Sequence, residues 1–541
     1  MIVPDRLLLS GNEAVALAAR KAGVILGTGY PGTPSTEILE EFHRLGGRSQ
    51  WAPNEKVALE VGLGASLAHT RVIVTMKHVG VNVAADPLFT AAYTGTPGAL
   101  VVISADDPGM ASSQNEQDNR HFAVAAGLPM LEPSSSQEAF DFTLAAIEIS
   151  ERWHLPVLLR MTTRVCHSKT IVHSFRTPHP ASHPFFEEDI PSLVMIPAYA
   201  RPAHRKLRAR LADIAGWNET SPLNQIIEGD SGLGIITSGI SYQHAREAAP
   251  GASFLKLGMT CPLPFDKIKT FVESVERCLV IEEGDPWLAD AIRAEGIPVE
   301  RKLHEFRFGE LDVERVRRII EGDATPAPPP PGGRPPQLCT GCPHRSVFEI
   351  LRDLHCIVAG DIGCYTLGVL PPFQAMDTCV CMGASIGVGL GLRHALPPEE
   401  ARRVVSVIGD STFVHSGLTG LVEMVYNRPE TGHVVIILDN GTTAMTGLQE
   451  HPGTGRTLEH SPTGKVNFEE FARSLGIGRV QTMDPTRDPA SFEKALVENL
   501  QSDDLVLMIA RKPCLLAASK IREYERAAQE LMACDCAHGE N

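Results

Sequence analysis

From Val404 to Gln449 the chain reads VVSVIGDSTFVHSG, an amphipathic run, and then HVVIILDNGTTAMTGLQ. Apolar strand, acidic turn, helix and second apolar strand follow one another, the repeating unit of a parallel α/β sheet. In such a sheet the carboxyl ends of the strands bring Asp410 and Asn440 to one edge, where ligands bind. Two oxygen ligands there, with the carbonyl of Thr442 as a third, suit a hard Mg²⁺ that keeps water and holds substrate phosphates. The stretch is expected to hold a diphosphate. A Gly-Asp turn in an ordinary nucleotide-binding fold shares part of this pattern, so the remaining motifs decide between the two.

The 541 residues suffice for roughly three domains of 100–200 residues. Lys plus Arg, 49, against Asp plus Glu, 65, gives a net charge of −16 with no basic run, which excludes a nucleic-acid grip. Met1 to Ala22 carries Asp5, Glu13 and Arg20 and no cationic start before an apolar core, so a signal peptide is not expected. No apolar run approaches the ~20 residues of a membrane span, and the expectation is a soluble, cytoplasmic protein. Twelve cysteines in so long a chain point to metal or cluster ligation for some of them rather than a disulfide framework.

Helix and strand alternate from the start. NEAVALAARKAG is an amphipathic helix, VILGTGY a strand, and RVIVTMK and GALVVISAD are apolar strands. This predicts a parallel sheet covered on both faces over residues 1–175. Between Thr177 and Arg201 prolines and histidines accumulate and periodicity is lost, as in a connector. GLGIITSGI, HAREAA, ASFLKLG and RCLVIEEG predict a second α/β domain over 176–325. PAPPPPGGRPP, Pro326 to Pro336, can form neither helix nor central strand and reads as a solvent-exposed spacer at 326–337. The third domain, 338–520, contains the diphosphate stretch and the helix MGASIGVGLGLRHAL, whose glycines imply close packing of helix on sheet. A polar helix and tail, 521–541, follow.

G-D-S, about thirty residues, then D-N resembles the G-D-G…N signature of thiamine diphosphate enzymes. That chemistry needs a carboxyl group sharing a proton with the aminopyrimidine, while the cofactor serves as carbanion and electron sink. Glu55, in PNEKVALEVGLGAS, resembles the activating glutamate of those enzymes, although the helix dipole alone also favours an acid in a first turn. GYPGTPSTEI at 29–38, MKHVGVNVAADPL at 76–88, DDPGMASSQNEQDNRHFA at 106–123, CTGCPHR at 339–345, DIGCYTLG at 361–368 and LDNGTTAMTG at 438–447 extend the likeness. Together they are similar to the α subunit of indolepyruvate:ferredoxin oxidoreductase over almost the whole chain.

The resemblance implies an α/β chain of three domains with parallel sheets in the thiamine diphosphate-binding fold. A pyrimidine-binding domain comes first, a transketolase-C-terminal-like domain second and the diphosphate domain last. It implies oxidative decarboxylation of aryl pyruvates, with the acyl group passed to coenzyme A and electrons to iron–sulfur clusters. Glu55 would then activate the cofactor and Thr33 lie near the substrate carbonyl or carboxylate; the Thr33 hydroxyl could also cap the following helix. Arg120 and His78 are candidates for carboxylate recognition and proton handling, against the plain alternative of satisfied core groups. Gly363, Cys364, Met382, Gly383, Ala384, Gly409, Asp410, Ser411, Asn440 and Thr442 would surround the cofactor. Asp106 and Asp107 end an apolar strand, where solvated turn acids are the default, and receive no role.

Cys339-x-x-Cys342, Cys364 and the distant Cys514 match the four positions by which the wider 2-oxoacid oxidoreductase family holds a [4Fe–4S] cluster beside the thiamine. A Cys₄ zinc site or unrelated buried thiols are the alternatives. Cys379 and Cys381 are expected in a packed turn near the diphosphate, and Cys166, Cys261, Cys278 and Cys356 in the core. The family's α subunit usually continues into a ferredoxin-like domain with two C-x₂-C-x₂-C-x₃-C-P runs; this sequence has none, and Cys534 with Cys536 cannot replace them. Expected partners are the small catalytic β subunit, ferredoxin or another electron acceptor, and coenzyme A, with a homodimer of this chain inside a heterotetramer. Alternatives on the same scaffold are a non-oxidative decarboxylase or carboligase, and a noncatalytic cofactor-binding subunit.

Overall fold

Strands buried on both faces read as continuous apolar runs, and the sequence has them in its three larger sheets. Val404–Gly409 and His433–Asp439 bury every residue. The computed structural model describes residues 6–174, 184–326 and 336–526. Positions 327–335 of the proline tract, together with Cys534 and Cys536, lie outside them. Two compact units, Met1–Pro329 and Pro330–Asn541, make up the chain.

The second unit is built on a six-stranded, wholly parallel sheet. Its spatial order is Thr378–Cys379, Ile357–Gly360, Val404–Gly409, His433–Asp439, Leu505–Arg511 and Arg479–Met483. Alternate residues serve opposite faces. Val405, Val407, Val434 and Ile436 pack with Val347, Phe348 and Leu496 on one side, and Ile408, Val435 and Ile437 with Ile386, Leu390 and Phe413 on the other. From Ile357–Gly360 the chain first moves outward to Thr378–Cys379 and then crosses back to Val404–Gly409. The order reverses there, so the ligand crevice of this sheet opens at the carboxyl ends of Ile357–Gly360 and Val404–Gly409. In the glycine-rich helix, Ala384–Ala395, close approach is real at Gly389, where a Cβ would stand 2.3 Å from Ser406 Oγ. Gly387 and Gly391 meet no described atom within 4 Å, so of the four glycines in MGASIGVGLGLRHAL the close packing belongs to Gly389 and to Gly383, where a Cβ would stand 2.4 Å from Ser416 Cβ.

The first unit holds a seven-stranded sheet in the order Met259–Cys261, Met130–Leu131, Val157–Thr162, Leu100–Asp106, Val72–Lys77, Leu26–Gly29 and Ser49–Trp51. Every pairing is parallel except that of Met259–Cys261 with Met130–Leu131. This order reverses between Leu26–Gly29 and Val72–Lys77. The unit also holds a five-stranded sheet of Glu300–Arg301, Cys278–Ile281, Asp230–Ser238, Ala252–Leu257 and Gln225–Ile227, and an antiparallel pair, Arg6–Ser10 with Lys169–His173. The stretch read as a connector contains the start of a 22-residue helix, Pro197–Asn218. Proline accumulates in connectors, but Pro197 stands at the first helical position, where its missing N–H costs nothing. Among the described residues no helix is long and apolar enough to cross a membrane.

Buried charges join the seven-stranded and five-stranded sheets of this unit. Arg120, 1% exposed, donates to both oxygens of Asp118, to Glu282 Oε2 at 2.6 Å and to the carbonyls of Glu283 and Asp285, and its guanidinium lies 5.1 Å over the Trp287 ring. Glu282 follows the strand Cys278–Ile281, whereas Arg120 opens the helix Arg120–Ala126 beside the seven-stranded sheet. Arg160 bonds Asp106 and Glu132 at 2.6 Å each, and Glu132 also accepts from Thr260. Asp106 and Asp107, expected as solvated turn acids, are both buried; Asp107 accepts from Ser112, Ser113 and Thr163. A buried carboxylate left without its cation is expensive, so Arg120→Ala is expected to lower stability by about 3–5 kcal/mol in urea denaturation.

Candidate active site

In the second unit three polar side chains stand at adjoining strand ends. Asp410, 3% exposed, follows Val404–Gly409; its Oδ1 accepts from Ser411 N at 2.9 Å and its Oδ2 from Gly441 N at 2.8 Å. Burial alone would raise its pKa, but His451, with Nε2 3.4 Å from Oδ2, and those N–H groups hold it below the usual carboxylate range. Asn440 is buried at the next strand end, its Oδ1 accepting from Thr442 N at 3.1 Å and its Nδ2 donating to His344 Nε2 at 3.3 Å. Burial depresses His344 to about 4, which keeps the imidazole neutral and able to accept. Asp361, which the sequence reading passed over, ends Ile357–Gly360 and accepts from the N–H groups of Ile362, Gly383 and Ser385. It thereby ties down the start of Ala384–Ala395 at Gly383, whose φ of +86° suits glycine. After Asp410 the helix widens into a π-turn, Phe413–Gly417, a feature common at functional sites.

Gly363, Cys364, Met382, Ala384, Ser411 and Thr442 all lie on these same loops. Gly409 and Gly363 have a local reason to be glycine, because a Cβ on either would stand within 2.6 Å of the Tyr365 ring. Tyr365, buried and bonded to the Ile362 carbonyl, His344 and His451 were not singled out from sequence. A strand ending in Asp at DIG, parallel to GDS, was the available signal for Asp361. His344 was visible only as part of CTGCPHR.

Cys339, Cys342, Cys364 and Cys514 lie near enough to act on one another electrostatically. Burial first, and then the thiols of Cys342, Cys514 and Cys339, push Cys364 up to about 11, and Cys339 and Cys514 act likewise on Cys342. Cys339 is exposed and the other three are half-buried. Cys514 N donates to the Asn440 carbonyl at 2.9 Å, which sets this group beside the Asp410–Asn440 edge. Among the described residues no three His, Cys, Asp or Glu side chains are gathered as ligands of one metal ion. Cys379 and Cys381 are exposed rather than packed, because they sit on and just beyond the short edge strand Thr378–Cys379. Cys166, Cys261 and Cys278 are buried as expected, whereas Cys356 is half-buried at the margin of the core.

In the first unit Glu55, 4% exposed, opens the helix Glu55–Leu67, which Asn54 caps by accepting from Val57 N. Its side chain fills the space over Gly80, where a Cβ would stand 2.6 Å from Glu55 Cγ. His78 is fully buried, with Nε2 3.0 Å from the Asn115 carbonyl and Nδ1 without a hydrogen-bond partner among the described residues. Thr33 is half-buried and does not cap the helix Thr36–Arg44; Thr36 and Ser35 bond Gly32 instead. Arg120 is corrected as a carboxylate-recognition residue, since its guanidinium is committed to Asp118 and Glu282.

This fold, with an acid and an amide at adjoining parallel strand ends, is the one expected of a thiamine diphosphate-dependent enzyme, and the family matches assign that class. The family "Thiamine pyrophosphate enzyme, C-terminal TPP binding domain" matches residues 361–510, and "Pyruvate flavodoxin/ferredoxin oxidoreductase, thiamine diP-bdg" matches residues 17–193. The chain belongs to the family of indolepyruvate oxidoreductase subunit IorA. It is 38% identical to that subunit from Archaeoglobus fulgidus, over 96% of this chain and 88% of the other. It is 38% identical to the one from Pyrococcus abyssi, over 97% and 88% respectively. Its fold is similar to a solved 2-oxoglutarate:ferredoxin oxidoreductase from Magnetococcus marinus, with a TM-score of 0.51 and 18% identity over 59% of this chain and 65% of that one. The protein is thus a thiamine diphosphate-dependent 2-oxoacid oxidoreductase subunit. Replacing Asp361 by Ala would strand three N–H groups, and a stability loss of about 1–3 kcal/mol is expected by urea denaturation.

Proposed function

We propose that the chain oxidatively decarboxylates aryl pyruvates of the indolepyruvate kind, as the large subunit of an assembly with a small catalytic β subunit. The balanced reaction converts a 2-oxo acid and the thiol of coenzyme A into an acyl thioester, carbon dioxide, a proton and two electrons. The observation that carries this reading is the meeting of four thiols with the Asp410–Asn440 edge, through the bond from Cys514 N to the Asn440 carbonyl. A non-oxidative decarboxylase releases no electrons and has no use for a redox centre there. The six-stranded sheet is read as the diphosphate domain, the seven-stranded sheet as the pyrimidine domain and the five-stranded sheet as the transketolase-C-terminal-like domain. The large subunit is further read as a homodimer, with ferredoxin or another soluble acceptor taking the electrons.

Asp410 and Asn440, with the Thr442 carbonyl, would hold Mg²⁺ on the diphosphate. Each side-chain oxygen keeps a lone pair beyond its single backbone N–H, so the donor set fits a cation that shares its sphere with phosphate and water. Thiamine diphosphate, when bound, supplies a carbanion and an electron sink. Glu55, fixed at the first turn of its helix, would share a proton with the aminopyrimidine. Thr33 would meet the substrate's carboxylate or carbonyl, and His78 would handle protons. Cys339, Cys342, Cys364 and Cys514 would ligate one [4Fe–4S] cluster. A cubane holds each thiolate on a separate iron, so four thiols that act on one another are the number one cluster needs.

Glu55→Gln is expected to leave cofactor binding intact and depress substrate-dependent dye reduction by roughly 10²- to 10⁴-fold, whereas Asp410→Ala weakens diphosphate binding itself. Calorimetry and turnover on the same preparations separate the two, and parental activity in Glu55→Gln would remove the assignment. Protein purified without oxygen should carry about four iron and four sulfide per chain and lose them when any one of the four thiols becomes serine. Zinc or no metal in protein that still turns over 2-oxo acids, releasing aldehyde, would favour the decarboxylase instead.

A further inference from the structure

Asn440 and the four thiols come from segments far apart in the chain, and one residue touches both. The backbone N–H of His344 donates to the Cys342 thiol, and its imidazole Nε2 accepts from Asn440 Nδ2 at 3.3 Å. An asparagine amide presents an oxygen and an NH₂ of nearly equal shape, and only the oxygen can ligate a hard cation. With its proton on Nδ1 the neutral imidazole accepts at Nε2 and, together with the Thr442 N–H, selects the orientation. With NH₂ bound to His344, the Asn440 oxygen turns toward Thr442, whose N–H it accepts at 3.1 Å. The imidazole is itself fixed. His344 is 4% exposed, it begins the helix His344–Asp353, and its ring meets Tyr365 edge-on with centroids 6.1 Å apart.

We infer that His344 is a positioning residue for the divalent-cation site, acting by orienting the Asn440 amide, and that it links that site to the thiol loop through its own backbone. The inference rests on reading Asn440 as a cation ligand. Groups that orient a metal's ligands are worth about 10- to 100-fold in metal affinity. His344→Leu removes the acceptor but keeps the backbone N–H to Cys342, whereas His344→Gln restores a carbonyl acceptor on a chain of similar reach.

The test measures Mg²⁺-dependent thiamine diphosphate binding to the full chain by calorimetry, with iron and sulfide content determined on the same anaerobic samples. His344→Leu should weaken Mg²⁺ binding about 10- to 100-fold, His344→Gln should recover most of the loss, and iron and sulfide should stay at the parental level. The double variant His344→Leu/Asn440→Ala should bind no more weakly than Asn440→Ala alone, because the two residues act through one ligand. Additive losses, or parental affinity in His344→Leu beside weakened Asn440→Ala, would overturn the inference while leaving Asn440 as a ligand. Parental affinity in Asn440→Ala would remove the underlying reading. Should His344→Leu fail to fold, the cycle is run with His344→Gln and His344→Phe, with failure to lose affinity in His344→Phe overturning the inference.

Discussion

A parallel strand cannot be joined to its neighbour by a tight turn; the chain must cross over a face of the sheet and start again at the same end. Every strand therefore finishes at one edge, and each finishing loop is free of the ladder and able to carry chemistry. Asp361, Asp410 and Asn440 share that edge in the second unit, as Glu55 and His78 do in the first. Where the strand order reverses, neighbouring loops diverge and leave a crevice. The reversal falls beside Asp361 and Asp410 in one sheet and between Leu26–Gly29 and Val72–Lys77 in the other.

Polar groups at such an edge are buried by the helices above them, so they persist only where the backbone satisfies them. Asp361 meets three N–H groups and Asp410 two; at Asp410 burial is outweighed by His451 and these bonds, whereas at Asp361 burial still raises the carboxyl above its usual range. The same rule explains Arg120. An arginine in a motif suggests a substrate carboxylate, but this one already has Asp118 and Glu282, and its place is in holding two sheets together. From sequence a satisfied and an unsatisfied arginine look alike, because the partners at 282 and 283 are supplied by another sheet.

Register decides where Cys514 goes. Leu505–Arg511 pairs with His433–Asp439 so that Arg511 lies opposite Asp439, and the bond from Lys512 N to the Asp439 carbonyl extends the ladder by one step. The next reach, from Cys514 N to the Asn440 carbonyl, places a thiol beside a residue 74 positions earlier in the chain. A slip of one residue would reverse the faces of Leu507 and Ile509 as well as misplace the thiol, so the apolar core holds the register that the cysteine needs.

Sequence by itself determined the α/β class, the strands, the polar strand ends at Asp410 and Asn440, the helix opening at Glu55 and the family, because hydrophobic period and short motifs are local properties. The tertiary structure alone decided that Asp361 anchors a helix start, that Arg120 and Asp106 belong to a buried charge cluster, that Cys379 and Cys381 face solvent, and that the helix Pro197–Asn218 occupies a stretch that reads as connector. His344 shows the difference most plainly. Its spacing from Cys342 is written in the chain, but its hold on Asn440 exists only because helix and strand end meet in space, where burial keeps the imidazole neutral and turns a motif residue into a hydrogen-bond acceptor.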